Sequence, residues 1–216
     1  MKTEYELRNS NAWDFIELNI AIDIDKLQLW YNDVNKQFPH LKFSFALTDY
    51  VIPNKKQSIL NGGIHSFGIS WPVEQQLPIP PKYAARPELY PETALSDNEF
   101  SRQMKAMEKY KFGYFKELFD RLGEETFSWS RITIHDPKAN IDPHIDGPQT
   151  IRLHIPIVTN SQAWFYWGDK KYNFIPGKVY LINTGSMHHT VNEGDTERAH
   201  IISHPANVAW LLENFG

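Results

Sequence analysis

The feature that most narrows the fold is a series of short apolar segments between Thr126 and Pro205, broken every few residues by Gly, Pro, Asn or Asp. Phe127–Trp129 with Ile132–Ile134, Thr150–Val158, Ala163–Trp167, Lys178–Ile182 and Arg198–Ser203 each read as a strand. That spacing predicts an all-β sandwich or barrel. Upstream the texture differs. Ala12–Ile22 alternates through Trp13, Phe15, Leu18, Ile20 and Ile22, as a half-buried strand does. From Asp25 to Phe38 the period lengthens, and Leu27, Trp30, Tyr31, Val34 and Phe38 share one helical face. Ser96-Asp97-Asn98-Glu99 has the form of a capping box. It predicts a helix through Met104, Met107 and Leu118, stopped near Leu122-Gly123 with glycine as the C-cap.

Residues 39–92 are rich in Pro and Gly, which predicts turns, short strands and a long surface connection. Such a connection either covers a pocket or packs as a plain loop. The expected class is mainly β with flanking helices, in a single domain over 1–216, the region 1–125 packed on a barrel core of 126–205.

Composition removes several functions. Without cysteine there is no disulfide, zinc–thiolate site, iron–sulfur cluster or thiol nucleophile. A net charge of −4 with scattered Lys and Arg gives no footprint for nucleic acid. No apolar run approaches a membrane span, and the first twenty residues lack a leader pattern. The expectation is a cytoplasmic protein.

The first chemical signal is His144-Ile145-Asp146. On a strand, residues two apart project to one side, so imidazole and carboxylate can meet one ion. Two histidines and a carboxylate leave three octahedral positions open, the arrangement of non-haem Fe(II) oxygenases. With nine His and 26 acidic residues, roughly one His-x-acid match arises by chance, and flanking prolines also suit a turn. Downstream, His188 and His189 stand at the end of an expected strand, and Arg198 follows in the next alternating run. A guanidinium grips a carboxylate through two parallel hydrogen bonds, as the distal end of 2-oxoglutarate would require. The competing reading is a surface ion pair of Arg198 with Glu193, Asp195 or Glu197.

Four segments then agree in order and spacing: His144-x-Asp146-Gly-Pro, Ile151-Arg152-Leu153-His154-Ile155-Pro156, Pro176 to Asn183, and His188-x-x-Val-Asn192-x-Gly-Asp-x-x-Arg198. Over residues 126–204 the chain resembles the aspartyl/asparaginyl β-hydroxylase-like 2-oxoglutarate oxygenases, which include free-proline hydroxylases. The first 125 residues carry no matching motif. The resemblance implies a double-stranded β-helix (jelly-roll, cupin-like) barrel. It also implies iron ligands at His144, Asp146 and His188, with 2-oxoglutarate held by Arg198, Arg152 and His154. Asp146 fills an acidic position that some animal members lack. Neighbouring strand residues face opposite ways, so only one of His188 and His189 faces the metal, and the resemblance favours His188.

His200 and His204 read as core or rim histidines, while His40, His65 and His135 have no context. The implied reaction consumes O2 and 2-oxoglutarate, releases succinate and CO2, and hydroxylates a free amino acid or an Asp/Asn side chain in a peptide. Trp164-Phe165-Tyr166-Trp167 would send alternate side chains to the cavity and to the outside. Two rivals share the histidines: a cupin-like metal enzyme using no keto acid, which would not need the two arginines, and a non-catalytic barrel.

Overall fold

A computed structural model describes residues 2–37, 43–44, 60–61, 64–72, 104–146 and 149–216. Its frame is a pair of facing sheets. Eight strands run from residue 131 onward: β7 (Arg131–His135), β8 (Asn140–His144), β9 (Ile151–Val158), β10 (Ala163–Trp167), β11 (Lys170–Tyr172), β12 (Val179–Asn183), β13 (His188–Asn192) and β14 (Arg198–Ser203). Upstream come β1 (Phe15–Leu18), β2 (Phe43–Ser44), β3 (Leu60–Asn61), β4 (Ile64–Gly68), β5 (Ser70–Pro72) and β6 (Met104–Ala106). One sheet has the order β1-β12-β9-β14-β7-β4-β2 and the other β11-β10-β13-β8-β3, while β5 and β6 pair separately. Along the chain β7, β9, β12 and β14 lie in the first sheet, and β8, β10, β11 and β13 in the second. This switching of antiparallel strands between two layers is the jelly-roll arrangement. The fold is therefore mainly β, with flanking helices α1 (Glu4–Arg8), α2 (Ile24–Gln37), α3 (Gly113–Leu122) and α4 (Val208–Phe215). The two layers remain separate hydrogen-bonded sheets.

The period of two along β14 separates the apolar core under the helices from a polar inner face. Ala199 and Ile201 pair with Ile134 and Ile132 on the outer face, where they join Leu153, Ile155 and Ile157 under the helices. Helix α2 supplies Leu27, Trp30, Tyr31 and Val34, and α3 supplies Phe115 and Leu118. Trp30 stacks on Phe115 at 4.7 Å, which anchors the two helices together. Burying side chains of this size contributes roughly 1.5–3 kcal/mol each. The alternate residues Arg198, His200 and Ile202 pair with His135, Thr133 and Arg131 on the inner face.

Several sequence expectations change. Residues 96–103, with the capping box, lie outside the described residues, but the helix predicted through Met104 to Leu122 is broken. Met104–Ala106 forms a strand on Ser70–Pro72, the Met107 amide donates to the Ile69 carbonyl at 2.9 Å, and the helix begins only at Gly113. Sheet pairing there takes the backbone donors that an i→i−4 ladder would have used. Gly123 does end the helix, at φ 81°. Phe127–Trp129 is no strand: Glu124–Phe127 is a 3-10 turn and Trp129 sits at φ 41°, so the strand starts at Arg131. The strand expected over Ala12–Ile22 shortens to Phe15–Leu18, because the Asn19 amide donates to Phe215 of α4 instead. No helix among the described residues is long and apolar enough to cross a membrane.

Candidate metal centre and its flanks

His144 closes β8 and His188 opens β13, rather than ending a strand, and the two are direct partners across the ladder. Each ring is fixed by a carbonyl two residues back. His144 Nδ1 donates to the Asp142 carbonyl at 2.7 Å, and His188 Nδ1 donates to the Ser186 carbonyl at 2.8 Å. A carbonyl only accepts, so the proton sits on Nδ1 and leaves a lone pair on Nε2, the tautomer that a metal ligand needs. Asp146 lies between them, with Oδ1 3.5 Å from His144 Nε2 and Oδ2 3.7 Å from His188 Nε2. The three ligand atoms all fall within 4.8 Å of one another.

The electrostatics suit a cation. Burial opposes ionisation of Asp146, but Arg152 at 2.9 Å and the two imidazoles outweigh it and hold the carboxyl well below the usual carboxylate range. Burial pushes His188 down to about 4, so its imidazole is neutral near pH 7. For His144, burial works against the proton, yet hydrogen bonding to Asp146 and the Asp142 carbonyl prevails and raises the pKa. Phe165 stacks on His188 at 5.2 Å and closes the inner side.

His189 points the other way. It stacks on Tyr166 with ring planes 2° apart, outside the sheet. In the aromatic run, Phe165 and Trp167 are buried on the inner face, while Trp164 and Tyr166 turn outward.

Arg152 occupies a different place from a free carboxylate clamp: its Nη1 is engaged by Asp146. His154, two residues on, is buried, with Nδ1 3.4 Å from His200 Nδ1 and an unpartnered Nε2. Arg198 is 3% exposed, so it is no surface residue. Of the three acids suspected as its partners, Glu197 is held by the Tyr31 hydroxyl at 3.0 Å, Asp195 by Lys138 at 2.8 Å, and Glu193 is exposed. Its two Nη atoms instead meet His135 and His200. Sequence reasoning passed over those two histidines. The signal was the period of two, which puts His135 and His200 on the inner face with Arg198.

A jelly-roll fold with a His–Asp–His cluster whose ligand atoms could hold one metal ion defines the class of this chain. The profile of the aspartyl/asparaginyl β-hydroxylase family matches residues 98–205, half of the sequence. The chain belongs to that family, and its membership of a hydroxylase family supports an enzyme. No curated protein shows significant sequence similarity to the chain. Among solved structures, a cupin 2 conserved barrel protein from Salinispora arenicola is similar at 18% identity and TM-score 0.28, over 34% of this chain. The chain covers 58% of that protein's length. A Pseudomonas putida prolyl-4-hydroxylase is similar at 11% identity and TM-score 0.44, covering 92% of this chain and 95% of that one. A viral collagen prolyl hydroxylase from Paramecium Bursaria Chlorella virus-1 shows 9% identity, TM-score 0.42, and 89% and 95% coverage.

Proposed function

We propose that the chain is an Fe(II)/2-oxoglutarate-dependent dioxygenase that hydroxylates a C–H bond of a free amino acid or of an Asp/Asn-type side chain. The observation that carries this reading is the convergence of His144 Nε2, Asp146 and His188 Nε2 within 4.8 Å, both imidazoles locked in the ligand tautomer. A two-histidine, one-carboxylate set fits non-haem Fe(II). When bound, iron with 2-oxoglutarate supplies O2 activation and C–H oxidation, with succinate and CO2 as co-products.

The chain's own residues do the rest. The carbonyls of Asp142 and Ser186 fix the tautomers, and Phe165 keeps water from the inner side of His188. Arg152 holds Asp146 ionised and orients it. Arg198, a buried cation with no carboxylate partner among the described residues, supports a pocket for the distal carboxylate of the cosubstrate. His154, two residues from Arg152 on β9 and beside the strand that carries Arg198, has a buried Nε2 with no partner among the described residues.

Anaerobic titration of Fe(II) and then 2-oxoglutarate into the apo-protein, read by the metal-to-ligand charge-transfer band, is the test. A band that appears in the native protein and is lost in His188→Ala supports the assignment, and no band under any loading overturns it. Succinate release across free amino acids and Asp- or Asn-containing peptides then identifies the substrate.

A further inference from the structure

A buried guanidinium is ordinarily matched by a buried acid, because an uncompensated charge away from water is costly. Arg198 departs from that rule among the described residues, none of which offers it a carboxylate. Its Nη2 lies 3.2 Å from His200 Nδ1 and its Nη1 3.5 Å from His135 Nε2, and both rings are essentially inaccessible to solvent. An arginine only donates, so each imidazole must accept here and each is the neutral form. Burial, reinforced by Arg198 itself, holds both histidines well below their ordinary range. Among the described residues, the charged or titratable groups that act on these two histidines are Arg198 on both and, on His200, His154 of β9 and His135 itself, and none of these is an acid.

The two kinds of partner have different consequences. A carboxylate would orient the guanidinium but also cancel its charge and compete with any anionic ligand. A neutral imidazole orients it and leaves the charge in place. Of the five N–H donors on Arg198, the two histidines engage two, and among the described residues no carboxylate takes the other three. We propose that His135 and His200 are positioning residues that hold Arg198 through neutral acceptors, keeping its charge for one carboxylate of a dicarboxylate ligand. The inference rests on the cosubstrate reading above and adds the reason that reading needs histidine at these positions.

The experiment compares binding of 2-oxoglutarate with that of pyruvate, a keto acid lacking the distal carboxylate, to the anaerobic Fe(II) protein. The charge-transfer band reports both, and thermal denaturation reports folding. His200→Gln keeps an acceptor and is expected to bind 2-oxoglutarate within about threefold of the native protein, whereas His200→Ala weakens it about tenfold. His200→Glu places an acid on Arg198. It is expected to cost at least about a hundredfold in 2-oxoglutarate affinity, with pyruvate binding unchanged and Tm equal or higher. His135→Glu gives the same result at the other Nη. Should neither Glu variant fold, the split between Gln and Ala decides.

The proposal is overturned if Glu variants retain 2-oxoglutarate, if pyruvate and 2-oxoglutarate weaken in parallel, or if Gln and Ala behave alike. A native protein that forms no band with either acid instead overturns the cosubstrate reading itself.

Discussion

His144 and His188 face each other across the β8–β13 ladder, with ring centroids 4.3 Å apart. The ladder shifts register just beyond this pair, between His188 and Thr190, and His189 turns to the outer face. Position along the strand therefore separates two adjacent, chemically identical side chains. His189→Ala should leave Fe(II) affinity within about twofold, while His188→Ala should lower it at least about a hundredfold. Equilibrium dialysis of the metal measures both. Comparable losses in the two variants would place the ligand wrongly.

Asp146 shares its carboxylate with Arg152, and both groups are largely buried. Arg152→Met strands the carboxylate in the metal-free protein, and breaking such a pair costs about 3–5 kcal/mol. A divalent ion restores a positive partner. The Tm of the variant should fall well below that of the native apo-protein and recover most of the difference when Fe(II) or Mn(II) is added. An equal deficit with and without metal would show that Arg152 and the ion do not share this carboxylate.

Four buried histidines, His135, His154, His200 and His204, are held neutral, by burial above all and by nearby guanidinium groups. The unfolded chain takes protons at these residues near pH 6.5, and the folded chain takes them only at much lower pH. Below pH 6.5 the unfolded state binds more protons, so stability falls as pH falls. The full slope is about 1.4 kcal/mol per pH unit for each histidine, down to the folded pKa values. Urea unfolding from pH 7.5 to 5 checks the sign. A stability that is flat or rises toward pH 5 would contradict it.

Asn192 is fully buried, and its amide donates to the carbonyls of His135, Asp136 and Thr196. Its Oδ1 accepts from Asn160 and from the Gly194 amide. It ties the end of β13 to the turn that leads into Arg198. Asn192→Ala leaves several buried polar groups unsatisfied, with an expected loss of about 2–4 kcal/mol in denaturant unfolding. His188 lies at the far end of the strand, so Fe(II) affinity should change much less than in His188→Ala.

The sequence carried the barrel strands well, because alternation is a local signal. Ala163–Trp167 and Arg198–Ser203 stand where the pattern puts them. It failed where a distant partner decided the outcome. Met104–Ala106 has helical periodicity, but pairing with Ser70–Pro72 makes it a strand. The C-terminal helix was likewise missed, since Val208–Phe215 is apolar on most sides and is anchored by contacts with the first residues of the chain. At the site, the spacing of His144, Asp146, His188 and Arg198 was legible from one-dimensional order. That Arg152 turns to Asp146, and that histidines flank Arg198, depend on how the strands lie against one another.

The aromatic group of Phe15, Phe165, Trp167, Tyr172, Phe174 and Tyr180 binds the two sheets along one edge, with Phe174 only 4.5 Å from Tyr180 and 5.6 Å from Phe165. The two histidines of the candidate metal cluster belong to the five-stranded sheet and Arg198 to the seven-stranded one. This edge therefore acts as a gauge block between the jaws of a caliper. On the function proposed above, the thickness of its rings would set the gap from the candidate ligands to the guanidinium, and with it the length of diacid that fits. Shaving a ring, as in Phe174→Leu, should shift the preference from the five-carbon keto diacid toward the four-carbon one.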